Sequence, residues 1–227
     1  VFDFELGDVG TLKSWSINLI GRNISDDDIY FYSDEYAEAR SVESARATLT
    51  DSGGTDVLNA SMVTTGLRLD LAPGGASKID GTSLTISSLT QIENAIGGDG
   101  DDYISGSAIA NELWGMRGND QIFGLTGSDS IYGGDGNDTL NGGDGDDTLT
   151  GGAGSDLLDG GTGLDIAAYA STASGTRVTK ESTTSWLAFE IATSSTDRLV
   201  NVERLFFNDG ALALDIHGNG GVAAKIV

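Results

Sequence analysis

The chain has 227 residues, with 35 Asp and Glu against 12 Lys and Arg, a net charge of −23 and a pI of about 4.1. That balance argues against nucleic acid and anionic membrane surfaces as partners. No apolar run reaches the roughly 18 residues of a membrane span, and no amino-terminal signal peptide is visible.

Absence of Cys and a single His, His217, leave zinc, copper and iron short of their usual ligands. The words His-Glu-x-x-His, Gly-x-Ser-x-Gly and Gly-x-x-x-x-Gly-Lys do not occur, so the chain reads as non-catalytic. His217 reads as structural or exposed. The length suits one elongated domain or two small ones. Val1 is not Met, so the chain reads as a piece of a longer polypeptide.

Residues 1–21 contain GDVGTLKSWSINL. This stretch resembles the last strands of the P-domain that follows the catalytic domain in kexin- and subtilisin-like proteases. The resemblance makes 1–21 the end of a preceding β-sandwich. It implies an upstream catalytic domain, that of a secreted serine protease.

Residues 22–96 begin with an aromatic cluster, Tyr30, Phe31, Tyr32 and Tyr36, and predict a short helix around 34–47. RATLTDSGGTDVLNAS then predicts strand, turn, strand. Leu67, Leu69 and Leu71 alternate ahead of a turn at Pro73-Gly74-Gly75. The words DSGGTDVLNAS and IENAIGG resemble the segment preceding the repeats in the serralysin-type carboxy-terminal domain. The resemblance implies two calcium sites, one using Asp51, Gly53 and Asp56, the other Gly54, Asp56 and Glu93. The family commonly has Thr where Gln91 stands; its contribution is a carbonyl, so the change is tolerated.

Residues 97–168 repeat every nine residues, eight times, without an insertion. Glycine opens every block. The sixth place holds Asp102, Asn111, Asp120, Asp129, Asp138, Asp147, Asp156 and Asp165. The eighth holds Ile104, Leu113, Ile122, Ile131, Leu140, Leu149, Leu158 and Ala167. Glycine and aspartate form helix and strand poorly, and glycine tolerates the positive φ of tight turns. Each block therefore reads as a six-residue turn followed by a three-residue strand whose eighth side chain points inward. Two blocks make a coil with a short parallel sheet on each side, and stacked coils share a thin apolar core.

Stacking brings the acids together. Residues 97–168 hold fourteen Asp and Glu against Arg117 alone, a local charge of −13. Coils at the ~4.8 Å spacing of paired strands would crowd these carboxylates, so a cation must lie between them. Calcium fits best, because it takes several carboxylate and carbonyl oxygens, whereas magnesium keeps its waters.

The blocks resemble the RTX, or hemolysin-type, calcium-binding repeat, and this gives the expected fold: all-β, a right-handed parallel β-roll. In that family each ion lies between a turn and the turn two blocks later. One column then pairs Asp102 with Asp120, Asp120 with Asp138 and Asp138 with Asp156; the other pairs Asn111 with Asp129, Asp129 with Asp147 and Asp147 with Asp165. The resemblance implies carbonyl ligands from Gly98 and Gly100, from Gly115 and Arg117, and from Gly124 and Thr126. It implies the same for Gly133, Gly134, Asp135 and Gly136, and for Gly142, Gly143, Asp144 and Gly145. Gly151 and Ala153, then Gly160 and Thr162, complete the set. The expectation is five or six ions in the roll, and up to eight with the flank. The block GSAIAN lacks two glycines and an anionic ligand, so the Asn111 site is expected to be weak or empty.

Residues 169–227 carry no glycine nonapeptide and read as β-rich. NVERLFFNDGALALDI resembles the segment that often closes RTX proteins. Val202, Leu205, Phe206, Phe207, Leu212 and Leu214 are expected to cap the open end of the roll, with a secretion signal expected in the tail GVAAKIV.

The resemblances together imply a secreted, monomeric, calcium-binding module. Its parent is an exoenzyme, exported by a type I secretion transporter and folding on calcium outside the cell. The alternative is a calcium-braced module that recognises polysaccharide or a cell surface. Trp114, Phe123 and Tyr132 at successive ninth places favour it, yet alternation puts Phe123 on the opposite sheet.

Overall fold

The computed structural model describes residues 27–34, 47–51, 53–213 and 224–226. Residues 1–21, most of the helix expected over 34–47, Leu214 and His217 lie outside them.

The described residues form an all-β fold of two sheets. The first runs β1 (Ile29–Ser33), β3 (Val57–Met62), β7 (Asn94–Ile96), β9 (Glu112–Arg117), β11 (Ser130–Asp135), β13 (Thr148–Ala153), β15 (Ile166–Tyr169) and β19 (Arg204–Phe207), all parallel. It ends with the antiparallel strands β20 (Gly210–Ala213) and β21 (Ala224–Ile226). The second sheet has a parallel centre of β4 (Arg68–Asp70), β8 (Tyr103–Ser105), β10 (Gln121–Thr126), β12 (Thr139–Asp144), β14 (Leu157–Thr162) and β18 (Ser195–Val200). Antiparallel strands flank it: β16 (Thr176–Lys180) and β17 (Ser185–Glu190) at one end, β5 (Ala76–Ile79) and β6 (Thr82–Ile86) at the other. The edge strand β2 (Thr48–Leu49) pairs with β6. Successive nonapeptides thus alternate between sheets, and each strand pairs with the strand 18 residues on, as in a parallel β-roll.

Eighth-place residues make the core. In the second sheet the register stacks Leu69, Ile104, Ile122, Leu140, Leu158 and Leu199. In the first it stacks Leu58, Ala95, Leu113, Ile131, Leu149, Ala167 and Leu205. Every one is fully buried. The ninth place faces outward. Trp114 and Tyr132 stack on the first sheet with ring centroids 5.1 Å apart, while Phe123 lies against Tyr103 on the second.

Two expectations change. From β9 to β14 the strands are six residues long rather than three, running from the seventh place into the third place of the next block, while β8 keeps the three expected. Pairing skips the opening glycine and resumes, so that Phe123 opposes Asn141 and Leu125 then opposes Gly143. A positive φ at the second place, 81° at Leu125 and 87° at Met116, turns the chain yet leaves the next residues in the ladder. Phe206 is also not part of the cap's interior. It is 54% exposed, because β19 alternates and turns Leu205 and Phe207 inward with Val202.

Candidate metal centres

The turns between the sheets present the sixth-place side chains in two columns. Each aspartate is buried, and from Asp120 onward each accepts a hydrogen bond from the main-chain N–H of the sixth-place residue 18 positions earlier. In one column Asp120 Oδ1 accepts from Asp102 N, Asp138 Oδ1 from Asp120 N and Asp156 Oδ1 from Asp138 N, all at 2.8 Å. In the other, Asp129 Oδ1 accepts from Asn111 N at 2.7 Å, Asp147 Oδ1 from Asp129 N at 2.8 Å and Asp165 Oδ1 from Asp147 N at 2.9 Å. These are the pairs at 18-residue spacing.

One oxygen of each is thereby used. The other is not. Oδ2 of Asp120, Asp129, Asp138, Asp147, Asp156 and Asp165 is buried without a hydrogen-bond partner. Six such atoms in register need a common cause, since an unpaired buried polar atom is costly.

The opening glycine shows where these oxygens point. A Cβ on Gly115 would strike Asp120 Oδ2 and stand 2.6 Å from the Gly133 carbonyl oxygen. Gly124 faces Asp129 Oδ2 and Gly142 O in the same way, and Gly142 faces Asp147 Oδ2 and Gly160 O. Carboxylate and first-place carbonyl therefore meet between successive coils. Second- and fourth-place carbonyls also abut the next coil: a Cβ on Gly134 would strike Met116 O, and one on Gly136 would strike Gly118 O. Each gap is lined by carbonyl and carboxylate oxygens, the donor set that suits calcium. Arg117, at a third place, turns its side chain to solvent between Asp99, at 3.3 Å, and Asp135, at 4.0 Å.

Electrostatics agree. Burial first, then the charges of Asp102 and Asp138, push Asp120 up to about 7. Burial likewise lifts Asp102, Asp129, Asp138, Asp156 and Asp165 to about 6, and raises Asp147. These carboxyls are held in a charge state that only a cation or a proton relieves.

The first turns differ from the rest. Asp102 satisfies both oxygens with main-chain donors, Leu67 N at 3.0 Å and Gly98 N at 2.7 Å. Asn111 accepts from Ser107 N at 2.7 Å, and its amide donates to Glu93 O at 2.7 Å. A Cβ on Gly106 would lie 2.5 Å from Asn111 Oδ1 and 2.6 Å from Gly124 O. A neutral oxygen stands there in place of a charged one.

In the flank, Asp51 and Asp56 come together with Asp28, close enough for one oxygen from each to share an ion. Sequence reasoning missed Asp28, whose N–H donates to Asp56 Oδ1 at 2.8 Å. Asp51 Oδ2 accepts from Gly53 N at 2.8 Å, beside Gly54, and Glu93 Oε2 accepts from Asp56 N at 2.8 Å. Asp56 Oδ2 is buried and unpartnered, and burial with the charges of Asp51 and Glu93 pushes Asp56 up to about 7. Gln91 is exposed.

Two more acids were missed. Asp197 Oδ1 accepts from Asp156 N at 3.0 Å, and Glu203 Oε2 accepts from Asp165 N at 2.8 Å. Both columns thus continue past the last nonapeptide. A signal was available: Thr196-Asp197-Arg198-Leu199 repeats the Thr-Asp-x-Leu of 55–58, and Val202-Glu203 echoes Ile92-Glu93.

Residues 96–131 and 132–167 each match the family model of the RTX calcium-binding nonapeptide repeat (four copies). No curated protein matches the chain closely enough to count as a relative. Residues 96–167 are thus calcium-binding RTX repeats, of a kind typical of secreted proteins, and no helix among the described residues is long and apolar enough to cross a membrane.

Proposed function

We propose that the chain is a non-catalytic module that folds on binding calcium and serves a secreted exoenzyme, a protease by the resemblance of residues 1–21. The observation that carries this reading is the row of buried, unpartnered Oδ2 atoms facing carbonyls between coils. The residues named from the nonapeptides would hold five or six ions, and Asp51, Asp56 and Glu93, with Gly53 and Gly54, one or two more. Calcium, when bound, supplies the positive charge that offsets these carboxylates.

The chain's own residues do the rest. Sixth-place aspartates hold one coil to the next through Oδ1 and aim Oδ2 into the gap. Opening glycines leave that gap free. Eighth-place aliphatics close the roll behind it. Without the ion, repulsion along the columns opposes a core of one aliphatic residue per block. Cytosolic calcium is low and external calcium is high. The chain then stays threadable through a type I transporter and folds outside, with 22–96, 97–168 and 169–227 acting as flank, roll and cap. Metal analysis of dialysed protein tests the reading. Five or more tightly held calcium ions per chain are expected, and two or fewer would reject it.

A further inference from the structure

The cap closes one column with a feature that the nonapeptides do not supply. In the register of β15 with β19, Arg204 opposes Ile166 and Leu205 opposes Ala167, so Glu203 stands opposite Asp165 at a sixth place. Arg204 N donates to Asp165 O at 3.0 Å, as Ile166 N does to Asp147 O at 2.8 Å. Glu203 Oε2 takes the Asp165 N–H, the bond that aspartates make lower down. The ladder therefore adds one more step without a nonapeptide.

The gap below that step is lined like the others. Asp165 is fully buried, and its Oδ2 has no hydrogen-bond partner. A Cβ on Gly160 would lie 2.6 Å from Asp165 Oδ2 and would strike the carbonyl oxygen of Asn201. One coil below, Gly142 meets Asp147 Oδ2 and the Gly160 carbonyl in the same way. Asn201 O thus takes the part of the opening carbonyl of a ninth block. Asn201 is left-handed, with φ of 49°, and its amide donates to Asp159 Oδ1 at 2.9 Å, which fixes that carbonyl. Gly161 and Gly163 keep the positive φ of Gly143 and Gly145, the same backbone region one coil further on. No Lys or Arg among the described residues forms an ion pair with Asp165 or Glu203.

We propose that Asp165, Glu203 and the Asn201 carbonyl form a further calcium site, a lock that joins the cap to the last coil. The proposal rests on calcium binding by the roll. The other column gives less. Asp197 takes the Asp156 N–H, but the three atoms nearest a Cβ on Gly151 all belong to the Asp156 side chain.

Calcium stoichiometry of the full chain, titrated against a competing chelator, tests the lock. Glu203→Gln keeps the shape and removes the charge. Glu203→Lys sets an ammonium where the cation would lie, so the cap folds without the ion. Both variants are expected to bind one calcium ion fewer than the parent chain, with β-rich circular dichroism at saturating calcium. Parent stoichiometry in both overturns the lock alone, and so does a Glu203→Lys chain that cannot fold. A parent chain that binds no calcium overturns the lock and the reading of the roll together.

Discussion

Each interior sixth-place aspartate divides its work between two oxygens, and their chemistry makes the site sensitive to pH. In the metal-free fold Asp120 sits near 7 and Asp138 and Asp156 near 6, against 3.8 for an unperturbed Asp. An acid with a raised folded-state pKa holds a proton that the unfolded chain has released. Its stabilisation of the metal-free fold is complete below about pH 4 and is lost as pH rises through 6 to 7. Calcium needs the deprotonated form, so its affinity runs the other way. The calcium midpoint for folding is expected to be several-fold higher at pH 5.5 than at pH 7.5, and chelated protein to be more folded at pH 4.5 than at 7.5. Circular dichroism at the three pH values checks both, and a midpoint independent of pH would contradict the assignment. Glycine is the second determinant at this scale. Gly136 has φ of 143°, and a Cβ there would strike Gly118 O, whereas Gly74, with φ of 85°, has nothing within 4 Å of its Cβ position. Gly136→Ala is expected to cost roughly 2–5 kcal/mol and Gly74→Ala about 1–2 kcal/mol. Denaturant unfolding in saturating calcium measures the difference.

At the scale of the strand, one inward residue per block carries the core. Leu140 stacks between Ile122 and Leu158 and is fully buried, so Leu140→Ala is expected to cost about 2–5 kcal/mol. Met116 lies in the same kind of strand, half exposed and with positive φ. Met116→Gly should change stability by no more than about 1 kcal/mol, because relief of the left-handed strain offsets the extra chain entropy. Thermal unfolding with calcium present compares the two, and equal losses would show that the inward ladder is not what holds the strands. The ladder itself was legible in the sequence, because Asp and Leu or Ile recur at fixed places over eight blocks. Strand length was not, since Gly-Gly pairs read as turn and only the positive φ at the second place lets pairing resume. Phe206 was misplaced for a different reason: Leu-Phe-Phe is apolar throughout, and only the register of β19 decides which ring faces out. Asp28 was hidden, and Asp197 and Glu203 showed only in their echoes of 55–58 and 92–93, because no glycine turn surrounds them. They join the columns through pairing with distant strands.

The whole molecule couples these scales. Of its charge of −23, −13 lies in residues 97–168, where coils stack, and the core of the roll is a single file of aliphatics on each sheet. A cation that binds only the fold stabilises it by RT ln(1 + [L]/Kd), about 2.7 kcal/mol per site at a hundredfold excess over Kd. Several such sites sum to the order of 10 kcal/mol, comparable with the whole stability of a domain. The most direct measurement is far-ultraviolet circular dichroism of the full chain at pH 7.5, first with chelator and then with millimolar calcium. A spectrum without β signal that becomes β-rich cooperatively on adding calcium is the predicted result. A β-rich spectrum unchanged by the chelator would contradict it.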